Sequence, residues 1–144
     1  MTVSSRFPVA THILTALHWN ECQVLSSEQL AETVNTNPVV IRRVLGMLRK
    51  AGLVTTLPGA HGGAKLAKSA QEITLLAVYQ AVEEASLFRL HCPDTTCALG
   101  GVIETTLAPI YGEAEQAMEH VLAGVTLAQV SKDARMQAGL ATEA

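Results

Sequence analysis

Residues 26–68 read SSEQLAETVNTNPVVIRRVLGMLRKAGLVTTLPGAHGGAKLAK, and this stretch decides the fold. Ser26 stands three residues before Gln29, the S-x-x-Q pattern whose side chains satisfy the free amides of a helix start. Leu30 and Val34 supply the apolar face of a short helix. Asn35-Thr36-Asn37-Pro38 ends it and starts another. Asn37 is a good N-cap, and Pro38 takes the first helical position, where a missing N–H leaves nothing unsatisfied. Ile41, Val44, Leu45 and Leu48 follow at i, i+3, i+4 and i+7, so a helix over residues 38–51 buries one stripe and leaves Arg42, Arg43, Arg49 and Lys50 off it. Gly52 provides a left-handed stop. Residues 53–57 read as a strand, 58–63 as a glycine-dense turn and 64–66 as a returning strand. Helix, tight turn, basic helix and β-ribbon in that order predict a winged helix-turn-helix, which sets its second helix in the major groove of DNA.

On the N-terminal side, residues 6–19 carry Phe7, Ala10, Ile13, Leu14 and Leu17 at helical spacing. On the C-terminal side, Thr74 caps a helix running to about residue 84, with Ile73 placed to staple onto Val78. Residues 85–97 read as irregular and end in His91-Cys92-Pro93-Asp94-Thr95-Thr96-Cys97. A long helix is expected over residues 99–123, with Pro109 and Gly112 inside it and Gly124 at its end. Thr126 and Gln129 cap a last short helix, and residues 136–144 read as a disordered tail. The fold expected is mostly α with a small β-wing. A winged-helix domain takes residues 1–84, a connecting loop 85–98, and a dimerisation helix with a short capping helix 99–135.

Hydrophobic residues make up 49% of the 144 and aromatics only 3%, so the core must be aliphatic and is ample for a folded chain. No apolar run approaches the ~20 residues of a membrane span. Arg6 is followed by no secretory h-region, and three cysteines, an odd number, make no disulfide framework. The expectation is a protein of the reducing cytoplasm with no membrane partner. The net charge of −3 conceals two unlike halves: residues 1–70 hold seven basic and three acidic residues, residues 71–144 three basic and ten acidic. A front of +4 suits phosphates, and a back of −7 suits solubility and self-pairing.

The DNA-facing candidates are Arg42 and Arg43, because arginine forks onto guanine O6 and N7, and Val39 and Val40, which can touch thymine methyls. Asn37 at the helix start, His61 and Lys65 at the wing, and Arg6 complete the set. A reading from another class is a winged-helix protein-interaction module without DNA binding, but such a module has no need of positive charge on this helix and wing. No G-x-S-x-G, Walker loop or H-E-x-x-H is present and the histidines are scattered, so no enzyme is expected.

The residues Leu30-Ala31-Glu32, the run from Leu45 to Val54 (LGMLRKAGLV), Gly62-Gly63-Ala64-Lys65-Leu66-Ala67 and Glu72-Ile73-Thr74-Leu75 resemble the Rrf-two family of bacterial winged-helix transcription regulators. The similarity extends from residue 6 to about residue 130. It implies a homodimer whose long helix crosses to its partner, a repressor, and palindromic double-stranded operator DNA. It also carries a base-reading role onto Arg42. Ile103, Leu107, Ile110, Ala114, Ala117 and Val121, spaced 4, 3, 4, 3, 4, form a stripe suited to that helix seam. Cluster-binding members of the family carry three cysteines before the long helix. Here Cys92 and Cys97 are followed by Val102, Ile103 and Leu107 where a third would stand, Cys22 is distant, and His91 is a weak substitute. The expectation is a regulator with no cofactor and no metal ligands. The alternative is a thiol-redox- or iron–sulfur-sensing regulator acting through Cys92 and Cys97. The signal, whether a small molecule or an oxidant, is not written in the sequence.

Overall fold

A computed structural model describes residues 4–88 and 90–140. Its elements are α1 (Arg6–Trp19), α2 (Ser27–Val34), α3 (Pro38–Lys50), β1 (Val54–Leu57), β2 (Gly63–Leu66), α4 (Leu75–Val82), α5 (Ile103–Ala123) and α6 (Leu127–Gln137). Helix starts hold where the sequence puts caps. The Ser26 hydroxyl accepts from Gln29 N–H while the Gln29 side chain accepts from Ser26 N–H, a complete capping box. Asn37 Oδ1 accepts from Val39 N–H at 2.8 Å, with Pro38 opening α3. Thr74 and Thr126 accept from Ala77 and Gln129 amides to start α4 and α6. Asn35 closes α2 in the left-handed region at φ 57°, which an asparagine side chain tolerates.

The two strands pair antiparallel, Val54 opposite Leu66 and Leu57 opposite Gly63. A bridge between Leu25 and Ala64 ties this ribbon to the segment entering α2. The core gathers Ile13, Leu14 and Leu17 of α1, Leu30 of α2, Ile41, Val44 and Leu48 of α3, Ile73, and Val78 and Val82 of α4. Leu127 of α6, fully buried, belongs to the same cluster. The backbone stitches α6 there too, through Leu75 N–H to Val125 O at 2.9 Å and Leu127 N–H to Ile73 O at 2.8 Å. Trp19 Nε1 donates to Ser131 Oγ at 2.9 Å, and the Arg135 guanidinium lies over the Trp19 ring. The residues expected to cap the dimerisation helix therefore pack on the DNA-binding part.

Three boundaries differ from the sequence expectation. The long helix begins at Ile103, not at residue 99, and residues 97–102 form successive turns. Gly100 and Gly101 explain this, since two adjacent glycines are poor helix formers. At Gly100 the chain also approaches so closely that a Cβ would lie 1.8 Å from Asp94 O. Helix α4 ends at Val82, before Glu83 and Glu84, because two carboxylates at a helix C-terminus oppose its dipole. Helix α6 runs past residue 135 to Gln137 and closes on Gly139 at φ +71°, with Leu140 N–H returning to Arg135 O. The tail expected over 136–144 thus begins as helix, and residues 141–144 lie outside the described residues.

Leu30 is fully buried where α1, α2 and α3 meet. Leu30→Ala should cost about 2–5 kcal/mol. The check is urea unfolding, in which the midpoint should fall with the slope unchanged.

Candidate nucleic-acid interface

Because α3 buries Ile41, Val44, Leu45 and Leu48, its other face must be shown to solvent. That face presents Asn37, Val39 (56% exposed), Val40, Arg42, Arg43 and Arg49. Arg42 and Arg43 are successive and therefore about 100° apart around the helix. Arg42 is not free: its Nη2 donates to Glu28 Oε1 of α2 at 2.7 Å, with both side chains mostly exposed. The other ion pair among the described residues joins His18 and Glu21, away from α3, so Arg43 has no carboxylate partner. Beside Arg42 a shallow cleft of about 170 Å³ is lined by Ser27, Arg42, Leu45, Gly46, Arg49 and Thr56.

His61 lies exposed in the turn of the wing and Lys65 lies exposed on β2 opposite Thr55. Gly62 is required there, since a Cβ would meet Leu57 O at 2.0 Å. Lys65 shares a second cleft with Lys68 and with Leu17 and Glu21 at the end of α1. Arg6 opens α1, eleven residues before Leu17 and so about 16 Å away along the helix axis. The fold thus gathers Asn37, Val39, Val40, Arg42 and Arg43 on one helix face and His61 with Lys65 on the wing, while Arg6 stands apart. Sequence reading missed Glu28. Its place in the first turn after the Ser26 cap was visible, but its pairing across fourteen residues depends on how α2 crosses α3.

The C-terminal part presents a different surface. Helix α5 has no buried residue; Ile110 is 57% and Val121 65% exposed. Of the expected seam, Ala114 and Ala117 are also exposed, and Ile103 and Leu107 are half-buried. An apolar groove of about 540 Å³ runs between α1 and α6, with Phe7, Thr11, Trp19, Val130 and Ala134 among its lining. The segment leading to α5 is strapped onto it. Glu115 accepts from Leu87 N–H at 2.6 Å and from Ser86 Oγ at 2.9 Å, and Phe88 stacks on Tyr111 with ring centroids 4.7 Å apart.

In the loop, Asp94 accepts from the Thr96 amide and hydroxyl, which hold its carboxyl below the usual range. Cys97 Sγ accepts Gly100 N–H at 3.0 Å and donates to Asp94 O at 3.4 Å. Cys97 stands six residues before α5, which begins at Ile103, so one amide, not a helix dipole, faces the sulfur. Cys22, Cys92 and Cys97 are all exposed free thiols.

A capped basic helix with an exposed face, followed by a two-stranded ribbon that is tied to the segment entering α2, defines a winged-helix DNA-binding protein. The chain belongs to the Rrf-two (Rrf2) family, whose model, described as an iron-dependent transcriptional regulator, matches residues 3–133. It is similar to YwnA of Bacillus subtilis (strain 168), 40% identical over 130 residues that span 89% of this chain and 96% of YwnA. It is also similar to the protein rrf2 of Nitratidesulfovibrio vulgaris (strain Hildenborough), 30% identical over 94% of this chain and 89% of that one. Among solved structures, one 38% identical superposes with TM-score 0.72 over 88% of this chain and 98% of that chain. T. potens IscR, 23% identical, shares the fold with TM-score 0.73 over 99% of this chain and 94% of its own. The chain is a DNA-binding transcription regulator. No helix among the described residues is long and apolar enough to cross a membrane.

The family description names iron, but the donors here do not fit an iron–sulfur cluster. The loop offers two thiols, and among the described residues no three of His, Cys, Asp and Glu converge.

Gly63 sits where a Cβ would be 2.4 Å from Leu25 O, whereas Gly46, inside α3, has open space around it. Gly46→Ala should raise stability by about 0.5–1 kcal/mol, and Gly63→Ala should lower it by at least as much by breaking the tie between wing and α2. Thermal melting of the two variants should move in opposite directions.

Proposed function

We propose that the chain is a homodimeric repressor of the bacterial cytoplasm that reads a palindromic operator with α3 from each protomer. The carrying observation is α5, a 21-residue helix with no buried residue and an apolar stripe turned to solvent. Burial of an Ile, Leu or Val side chain contributes ~1.5–3 kcal/mol, and Ile110 and Val121 remain more than half exposed among the described residues. The apolar groove between α1 and α6 is a second surface of the same character. A two-fold dimer sets two recognition helices in symmetric half-sites, so the operator mirrors the protein's symmetry. The repressor reading rests on the resemblance to the family's repressors. On each half-site, Arg42 and the exposed Val39 and Val40 face base edges; Asn37, Arg43, His61 and Lys65 face phosphates, and Arg6 reaches the backbone farther out.

Binding to random duplex should fall steeply as salt rises, because phosphate contacts release counterions. Arg43→Ala should lower that slope by about one unit and weaken all sequences alike. Salt-independent binding would instead favour the protein-interaction module. Ile110→Glu, at an exposed position of α5, should convert a dimer to monomers in sedimentation at micromolar concentration with helix content retained. A wild-type monomer would overturn the seam.

A thiol-responsive form of this function is favoured by one observation, two exposed free cysteines, Cys92 and Cys97, five residues apart in the loop that leads to α5. With a hydroperoxide, Cys97 Sγ takes the terminal oxygen as sulfenic acid and an alcohol or water leaves. The Cys92 thiol then displaces that oxygen as water to close a disulfide. Operator affinity should change after mild peroxide in the wild type and stay unchanged in Cys92→Ser; equal affinity throughout leaves both cysteines inert.

A further inference from the structure

We infer that Glu28 is a positioning residue for sequence readout, holding Arg42 as a base reader and leaving phosphate binding to Arg43. The inference rests on the reading of α3 as the DNA-facing helix.

The geometry makes the two arginines unequal. Arg42 is anchored by one of its five N–H donors, Nη2 to Glu28 Oε1 at 2.7 Å, and the remaining donors stay available to fork onto a guanine. Arg43 has no such partner among the described residues. The anchor is itself fixed. Glu28 lies in the first turn of α2, where the helix dipole favours a carboxylate, and the Ser26–Gln29 capping box locks that turn. Both side chains of the pair are more than half exposed, so it adds little to stability and the fold does not depend on it. What it changes is direction and charge. Tethering one end of a flexible guanidinium lowers the entropy lost when the other end meets a base. The carboxylate also cancels the charge that Arg42 would offer to any phosphate and repels every duplex alike. Only a site whose bases accept from Arg42 offsets that repulsion, which is discrimination against other sequences.

The experiment selects sites from a randomised duplex pool with the full-length wild type, Glu28→Ala, Glu28→Gln, Arg42→Ala and the Glu28→Ala/Arg42→Ala double variant, and measures affinity for random duplex against salt. Wild type should prefer guanine at one position of each half-site. Glu28→Ala should relax that position about tenfold, leave the others, and bind random duplex more tightly with a slope steeper by about 0.9. Glu28→Gln, whose amide oxygen still accepts from the guanidinium, should keep the preference within about threefold. In the Arg42→Ala background, Glu28→Ala should change nothing at that position. Wild-type preference and slope in Glu28→Ala would overturn the proposal, as would full relaxation in Glu28→Gln, or an even loss at all positions with a lowered melting temperature. A wild type that binds no duplex, or Arg42→Ala and Arg43→Ala variants that both bind like it, would overturn the reading of α3 itself.

Discussion

The burial of one stripe of α3 is the constraint on which the rest depends. Ile41, Val44, Leu45 and Leu48 enter a core already filled by Ile13, Leu14 and Leu30. At ~1.5–3 kcal/mol for each side chain fully removed from water, exposing even two of them would cost an amount comparable to the net stability of a marginal domain, about 5 kcal/mol. A helix so held cannot turn on its axis, since a rotation of 100° would exchange a leucine for an arginine in the core. Stability and presentation are therefore one decision. The residues that must be buried dictate that Val39, Val40, Arg42 and Arg43 are shown, and the Leu25–Ala64 bridge fixes where the wing stands relative to them.

The C-terminal part answers to the same core in a less obvious way. Helix α5 has no fully buried residue, yet it is held at its middle and at its exit. The Glu115 contacts and the Phe88–Tyr111 stack hold its middle, and Leu127 with the backbone bonds at Ile73 and Leu75 holds its exit. Its direction relative to α3 is thereby set within one protomer. If α3 reads DNA and α5 pairs with its copy, the spacing of the two α3 helices follows from packing already present in the single chain.

What was legible in the sequence was local. Ser26 with Gln29, Asn37 with Pro38, Thr74, and Thr126 are signals in which a side chain and the amide it caps lie within three residues, so the helix starts followed directly. The α3 stripe was legible because the i, i+3, i+4, i+7 spacing from Ile41 to Leu48 fits a helix and not a strand. The start of α5 was missed because the heptad stripe begins inside a run of apolar residues, and only the approach of Asp94 O to Gly100 shows why the turn must precede it. The attachment of α6 was missed for a similar reason. The sequence showed only its cap at Thr126 and Gln129, whereas Ser131 is buried against Trp19, more than a hundred residues earlier, and Leu127 is tied to Ile73. The residues proposed to face DNA were legible as residue types, and the structure shows those on α3 and the wing exposed. The tie between Glu28 and Arg42 was not, because it belongs to the crossing of two helices and leaves no periodic trace.

The charge distribution gives that tie its context. The front half carries three carboxylates against seven cations, and Glu21 is already paired with His18 at the end of α1. Glu28 is the carboxylate placed in contact with the recognition helix, where a protein selected only for tight DNA binding would carry none. An exposed pair of this kind is nearly neutral for folding in water. It ceases to be neutral beside DNA, because the phosphates attract a free guanidinium and repel the carboxylate that occupies it. In the proposed complex the acidic back, at −7, is repelled by the same field, so the long-range potential favours approach of the basic half to the duplex. Orientation thus comes from the asymmetry of the whole chain. In that proposal discrimination comes from short-range contacts on α3, where a single carboxylate weighs sequence against mere attraction.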